Sequence, residues 1–357
     1  MKYLYILLLL VPITAGMEIF GVDNHPLMFV LSALALVPLA AVLGNATEEV
    51  AVFTGQKVGG LLNATLGNAA ELIITIIALR EGLLSVVKAS IAGSIIGNML
   101  IVLGAAVLLG GLKNGEQTFD ERIASTNATM MSLAIVVLMI PAVFALGSSE
   151  TKLSHGDVVN LSDGAAVILI ILYALYLTYT IFAPSGKGLP SRPEEAETDE
   201  KPERRKLYIA LGLLVGSTLL VVYMSEILVG ALEPTAEQWG LSDLFVGVML
   251  VPLVGNVAEH LVAVQMAMKN KMDLSIGIAV GSGLQIALFV APVLVLVSQF
   301  VGPEPMSLVF NPFELMALIG AVLVAVLVSI DGRSNWLEGA QLIALYAVVA
   351  IAFYYVP

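Results

Sequence analysis

Two glutamates, Glu71 and Glu259, interrupt long apolar stretches of this 357-residue chain. A charged side chain at the centre of a bilayer costs about 2.5–3.5 kcal/mol on insertion scales, so such residues usually serve a function or are paired. The nearest basic residues, Arg80 and Lys88, fall at the ends of the predicted spans. We therefore expect the compensating positive charge to come from outside the chain, as a divalent cation or as two protons.

The two glutamates stand at equivalent points of an internal repeat. With an offset of 188 residues, Gly67–Glu71 (Gly-Asn-Ala-Ala-Glu) falls on Gly255–Glu259 (Gly-Asn-Val-Ala-Glu). Without any gap, Gly93-Ser94 then falls on Gly281-Ser282. Polar residues and glycines that recur at one fixed offset indicate a duplicated unit, whereas apolar matches alone would not. A looser echo, at another offset, pairs Thr47-Glu48 with Ser225-Glu226.

Further oxygen donors accompany the two motifs. An Asn three residues before a Glu lies on the same helix face, and the glycine beside it weakens the helix, so that carbonyl oxygens are freed. Hard cations prefer such oxygen ligands. Single Ser and Asn side chains also hold membrane helices together, and that interpretation stays open for them. The predicted cation- and proton-binding residues are Glu71, Glu259, Asn68, Asn256, Ser94, Ser282, Gln285 and Asn98, with the two glutamates as metal ligands.

His260 follows the second glutamate and has no counterpart in the first unit, where Leu72 stands. Three interpretations remain open for it: a proton relay, a cation ligand, or a spacer between helices. Pro252 precedes the second motif and predicts a kink in that helix.

The composition describes the environment of these residues. Hydrophobic residues make up 59% of the chain and charged ones 12%, where an average soluble domain has roughly 25% charged residues. The fold is therefore predicted to be an all-α polytopic membrane protein. A net charge of −12 excludes a typical nucleic-acid binder. The absence of cysteine excludes disulfides, thiolate metal sites and cysteine nucleophiles, and three histidines are too few for a histidine-built metal cage.

Apolar runs of about 20 residues, the length of a transmembrane helix, predict about eleven spans. The first of them has a signal peptide as its alternative interpretation. The predicted spans are 3–21, 26–47, 56–81, 84–111, 123–146, 157–182, 207–232, 241–268, 273–301, 311–330 and 335–356.

These spans predict a leading transmembrane helix (1–22), a first five-helix repeat (26–182), an acidic cytoplasmic linker (183–206) and a second five-helix repeat (207–357). Because five is odd, the second repeat is inverted relative to the first, a plan that secondary transporters use to place substrate sites near the midplane.

The basic residues predict the orientation of the chain in the membrane. Most of the sixteen Lys and Arg fall on one side, which the positive-inside rule assigns to the cytoplasm. The sequence thus predicts a multi-pass protein of the cell membrane with a cytoplasmic amino terminus and an external carboxyl terminus. Three basic residues fall on the other side: Arg80, Lys88 and Lys152.

The paired motifs resemble those of a known family. Gly67–Ile73 and Gly255–His260 are similar to the signature motifs of the Ca²⁺/H⁺ antiporters, the cation/proton exchanger branch of the calcium/cation antiporter superfamily. Arg333–Ala340 is similar to the entry of that family's last span. The Na⁺/Ca²⁺ branch typically has Pro directly before the motif Glu, whereas Ala70 and Ala258 stand here, which favours the proton-coupled branch.

The resemblance implies a secondary active antiporter that exchanges Ca²⁺ for H⁺, with Glu71 and Glu259 as its key residues. Calcium is then a transported substrate, no cofactor is expected, and the chain is not an enzyme. The expected partners are Ca²⁺, H⁺ and the lipid bilayer, without nucleic acid; a homo-oligomer is compatible with the sequence. The alternatives are a Na⁺/Ca²⁺ or broad divalent (Mn²⁺) exchanger and, from other classes, a cation channel or an intramembrane hydrolase with a Ser282–His260 dyad.

Overall fold

The computed structural model describes residues 4–146, 154–182 and 204–356, and helices dominate it. This confirms the all-α fold class. The linker predicted at 183–206 lies almost wholly outside the described residues. In the first half, a 3-10 helix (Leu4–Leu9) precedes α1 (Leu10–Ile19), α2 (His25–Leu66), α3 (Ala69–Arg80), α4 (Leu84–Gly97), a π-helical turn (Asn98–Val102), α5 (Leu103–Asn114), β1 (Gln117–Thr118), α6 (Glu121–Leu146) and α7 (His155–Phe182).

The second half has a similar succession of helices. The short strands β1 and β2 join the two halves as an antiparallel pair with Gln117 opposite Ser334. The elements are α8 (Arg204–Gly230), α9 (Leu232–Trp239), α10 (Asp243–Phe245), a π-helical turn (Val246–Leu250), α11 (Val251–Met268), α12 (Met272–Gln285), a π-helical turn (Ile286–Val290), α13 (Ala291–Ser298), α14 (Pro312–Ser329), β2 (Arg333–Ser334) and α15 (Trp336–Tyr355).

The helices are numerous and apolar enough for a multi-pass integral membrane protein. Among the described residues, eight could cross a bilayer by length and composition, or ten if each of two bent helix pairs is one span. The leading segment Tyr5–Ile19 is a shorter apolar helix. The count of eleven spans therefore stays a prediction.

Helix α2 contains a reversal of the chain. A Cβ built on Gly59 would lie 2.6 Å from the carbonyl oxygen of Ala51. Eight residues of straight α-helix would separate these positions by about 12 Å. The chain therefore folds back between them, which agrees with the boundary predicted between the spans 26–47 and 56–81.

The helices that carry the two motifs are both bent. Val58–Leu66 and Ala69–Arg80 meet at 43° across Gly67-Asn68, and Asn68 has a non-helical backbone (φ −105°, ψ 27°). Asp243–Val257 and Glu259–Met268 meet at 64°. Gly and Asn weaken a helix, so the bends occur where the motifs predicted unwinding.

The two π-helical turns that follow α4 and α12 share the offset found in the sequence. Asn98–Val102 and Ile286–Val290 are separated by the same 188 residues as the two glutamates. A π-helical turn widens the backbone locally and is frequent at functional sites. The spans that contain these turns are also the most completely buried of the described spans.

Candidate cation site

Both motif glutamates line one cavity of about 320 Å³. Residues from six helices form its wall: α2, α3, α6, α7, α11 and α12. Its polar lining residues are Asn45, Glu48, Asn63, Glu71, Asn127, Tyr176, Glu259, Asp273, Ser282 and Gln285.

Glu71 lies in the first turn of α3, directly after the bend. Its side chain is 7% exposed. The amino-terminal end of a helix attracts negative charge, so this position suits a carboxylate that binds a cation. Thr75 Oγ1 donates a hydrogen bond to the Glu71 backbone carbonyl (2.7 Å), which fixes the turn that carries the side chain.

Two residues of the second motif complete the surroundings of Glu71: Gly255, which its side chain contacts, and Glu259, which lines the same cavity. A Cβ on Gly255 would lie 3.0 Å from Glu71 Cγ and 3.1 Å from its Oε1. A larger residue at this position would therefore displace the carboxyl group. Glu259, half-buried on α11, lines the same cavity as Glu71. Two like charges at one cavity favour a bound cation or protonation.

A hydrogen-bond network connects the two halves behind the cavity. The Asn68 amide donates to Gln285 Oε1, and Asn98 Nδ2 donates to Ser282 Oγ (3.2 Å). Ser282 Oγ in turn donates to Asn68 Oδ1 (3.5 Å). Each of these bonds joins a residue of the first predicted repeat to one of the second, so the network holds α12 against the bend of the first motif.

The predicted site residues fall into three sets by position. Glu71, Glu259, Ser282 and Gln285 line the cavity, and Asn68 and Asn98 are buried behind it. Ser94 and Asn256 are buried as well, but they are not among the cavity-lining residues of the described chain. The amide atoms of Asn256 make no hydrogen bond with any described residue.

His260 is half-buried and is not among the described residues that line the cavity. Its Nε2 is shielded from solvent and has no hydrogen-bond partner in the described part of the chain. Its role as relay, ligand or spacer stays a prediction.

Several cavity residues were missed by the sequence interpretation. Glu48 is half-buried in the wall, and the echo of Thr47-Glu48 in Ser225-Glu226 was the signal that could have identified it. Asp273 lies at the start of α12 and accepts a hydrogen bond from the Asp120 backbone N–H (2.7 Å). An acidic residue in the first turn of a helix is common, so no pattern distinguished it.

The carboxylates alone do not form a resident metal centre. Within the described ranges, no group of three or more His, Cys, Asp or Glu side chains is arranged to hold a metal ion. Any cation bound between Glu71 and Glu259 would complete its shell with neutral oxygens, and Ser282 and Gln285 offer these on the cavity wall.

Comparison with known proteins decides the family. The sodium/calcium exchanger protein family matches residues 24–182 and 209–355, which is most of the chain. The chain belongs to this family. The stretches matched are the two halves that contain the glutamate motifs.

Close relatives place the chain on one branch of the family. A Ca²⁺/H⁺ antiporter of Synechocystis sp. is 46% identical over 100% of this chain and 98% of its own length. The Ca²⁺/H⁺ antiporter ChaA of Bacillus subtilis is 44% identical over 92% of each chain. The solved structure of native YfkE is 40% identical, with a TM-score of 0.84 over 99% of this chain and 100% of that one. The resemblance to the Ca²⁺/H⁺ antiporters is confirmed.

Proposed function

We propose that this chain is a secondary antiporter that exchanges Ca²⁺ for H⁺ by alternating access at a site formed by Glu71 and Glu259. The observation that carries the proposal is that two carboxylates from matched repeat positions line a single cavity. The names of the relatives at 44–46% identity support the choice of ions.

Coupling follows from the chemistry of a carboxylate. Ionised, Glu71 and Glu259 supply the negative oxygens that Ca²⁺ requires, at metal–oxygen distances of about 2.3–2.6 Å. Protonated, the same oxygens are neutral and bind the metal weakly. Calcium and protons are therefore mutually exclusive occupants of the site, and this exclusion links the two fluxes without covalent chemistry.

The other predicted site residues receive supporting roles. Ser282 and Gln285 complete the calcium shell in the present state, while Asn68 and Asn98 orient them through the network described above. Ser94 and Asn256 are the repeat counterparts of Ser282 and Asn68. They assume the roles of these two residues when the site is exposed to the other side of the membrane.

The cavity opens toward the cytoplasm in our proposal. Asp273 and Glu48 lie in its wall. Lys269 and Lys271 closely precede Asp273 and belong to the set of basic residues that the positive-inside rule assigns to the cytoplasm. The positive-inside rule then gives a cytoplasmic amino terminus and an external carboxyl terminus in the cell membrane. Protease cleavage near Arg204 in right-side-out vesicles, without permeabilisation, would overturn this orientation.

The hydrolase alternative lacks its dyad. The Ser282 hydroxyl accepts a hydrogen bond from Asn98 and donates one to Asn68, so it is engaged within the network and not with His260. A Na⁺/Ca²⁺ exchanger, a Mn²⁺ exporter and a channel are distinguished from the proposed activity by flux measurements.

The test is ⁴⁵Ca²⁺ uptake into proteoliposomes under an imposed pH gradient, repeated under a Na⁺ gradient and with no gradient. We expect accumulation with the pH gradient alone, and competition by Mn²⁺ measures selectivity. Because protons compete with the metal, the apparent calcium affinity should fall as the pH falls. Accumulation driven only by Na⁺, or equilibration that ignores both gradients, would refute Ca²⁺/H⁺ exchange.

A further inference from the structure

The bend in the first motif leaves one backbone carbonyl with an unusual partner. In a continuous α-helix the Ala64 oxygen would accept a hydrogen bond from the N–H of Asn68, four residues later. The helical ladder stops there: the Gly67 N–H bonds to Asn63, and the next such bond runs from Leu72 to Asn68. The Ala64 oxygen instead accepts a hydrogen bond from the Tyr173 hydroxyl at 2.7 Å.

Burial and ring stacking hold the Tyr173 side chain in position for this contact. Its side chain is 4% exposed and lies on α7, 109 residues from its partner in sequence. Its ring stacks on Phe289, with ring centres 5.4 Å apart and planes inclined by 26°. Phe289 belongs to the π-helical turn that follows α12, so one tyrosine contacts the bend of the first half and the widened turn of the second.

We propose that Tyr173 is a positioning residue of the cation site, an inference that rests on the proposed function. Its hydroxyl occupies the acceptor that would otherwise close the bend, and so it holds Asn68 and Glu71 in their places at the cavity. Asn68 can then reach Gln285 across the repeat interface.

Loss of the hydroxyl would change the balance at the bend. A buried carbonyl without a donor is unfavourable. The donor that would bond to this oxygen in a continuous helix is the Asn68 N–H. Forming it would extend α2 through the bend, turn Asn68 away from Gln285 and rotate Glu71 relative to Glu259.

Tyr173→Phe tests this with minimal disturbance, because the ring and its stacking on Phe289 remain. In proteoliposomes we expect the KM for Ca²⁺ to rise by about tenfold, the effect of losing one buried hydrogen bond, that between Asn68 and Gln285, while the maximal rate stays near wild type. Tyr179→Phe is the matched control: it lies on the same helix, its side chain is exposed, and its KM should not change.

A second readout is independent of transport. Hydrogen–deuterium exchange of the Asn68 amide should slow in Tyr173→Phe, because that N–H acquires a helical partner, and should be unchanged in Tyr179→Phe. A raised KM together with slower exchange supports the proposal. An unchanged KM, a lower maximal rate at an unchanged KM, or a raised KM without slower exchange would overturn it. Failure of Ca²⁺/H⁺ exchange itself would appear in the wild-type flux and leave the exchange measurement readable.

Discussion

The repeat brings equivalent small residues together on one side of the bundle and leaves them apart on the other. On the first side, which we term the closed seam (Ala89, Gly93, Gly247, Val248), a Cβ on Gly247 would lie 2.5 Å from Ala89 Cβ, and one on Gly93 would collide with the Val248 carbonyl. The repeat counterparts of these four residues stand 188 positions away in the sequence, and we term them the open seam: Gly277, Gly281, Gly59 and Gly60.

The open seam has the same kind of residues without the contact. A Cβ on Gly277 or Gly281 would meet nothing within 4 Å, and both glycines line the cavity. Matched surfaces that are packed in one half and separated in the other are what an alternating-access transporter requires of any single state. We infer that the open seam closes, and the closed seam opens, when the site faces the other side.

Accessibility gives the largest expected contrast between the two seams. Ile278 lines the cavity, whereas its repeat counterpart Ser90 is 5% exposed. The chain has no native cysteine, so Ile278→Cys and Ser90→Cys each introduce the sole thiol. A membrane-impermeant thiol reagent applied to the cytoplasmic face should modify the first and spare the second. Equal modification of both would mean that the seams do not differ in solution.

Gly281→Val tests whether the open seam ever closes. Valine fits the present state because the space around Gly281 is empty, so folding should be unaffected. If closure brings this position as near to its partner as Gly93 is to Val248, overpacking should lower exchange by about 100-fold. Gly212→Val, at an equally open helical position, is the control and should keep its activity. Wild-type exchange in Gly281→Val would contradict closure.

Gly255→Ala tests the contact between the motifs. The added methyl would press on Glu71 Cγ and Oε1, so the KM for Ca²⁺ should rise by about tenfold. Gly212→Ala, at a helical position where a Cβ meets nothing within 4 Å, is the control and should leave the KM unchanged. Calcium titrations of ⁴⁵Ca²⁺ uptake compare the two, and an equal KM in both would show that Gly255 does not position the carboxyl.

His260→Ala should have the smallest effect on flux. Leu72 stands at the same place in the first half, so the matched unit functions without an imidazole. We expect the flux to be retained with a shifted pH dependence, which uptake rates measured over a series of pH values would reveal. Near-complete loss of exchange would instead make His260 an obligatory relay.

The sequence predicted the bends because Gly and Asn recur together, beside a membrane-embedded Glu, at one fixed offset of 188 residues. It could not predict that Ser282 lines the cavity while Ser94 does not, since the two serines stand at equivalent repeat positions and differ only in how their helices pack. The similarity of Thr47-Glu48 to Ser225-Glu226 pointed to Glu48, but it was a weak signal because its offset differs from that of the main repeat.

Contacts between distant segments were outside the reach of periodicity. In the sequence, nothing distinguishes Tyr173 from other aromatic residues in an apolar helix. Its hydrogen bond to the Ala64 carbonyl oxygen depends on how α7 packs beside the bend. The reversal inside α2 was predicted as a boundary, yet its tight contact at Gly59 was not, because a single glycine in a helix has several explanations.

The most direct test of the central claim is pH-gradient-driven ⁴⁵Ca²⁺ uptake by Glu71→Gln and Glu259→Gln, with Glu18→Gln as control. Glutamine keeps the size of the side chain and removes both its charge and its exchangeable proton. We predict that each motif variant loses coupled exchange altogether, while the control, whose side chain is exposed in the leading helix, transports like the wild type. Robust proton-coupled calcium flux in either Glu71→Gln or Glu259→Gln would contradict the two-glutamate mechanism.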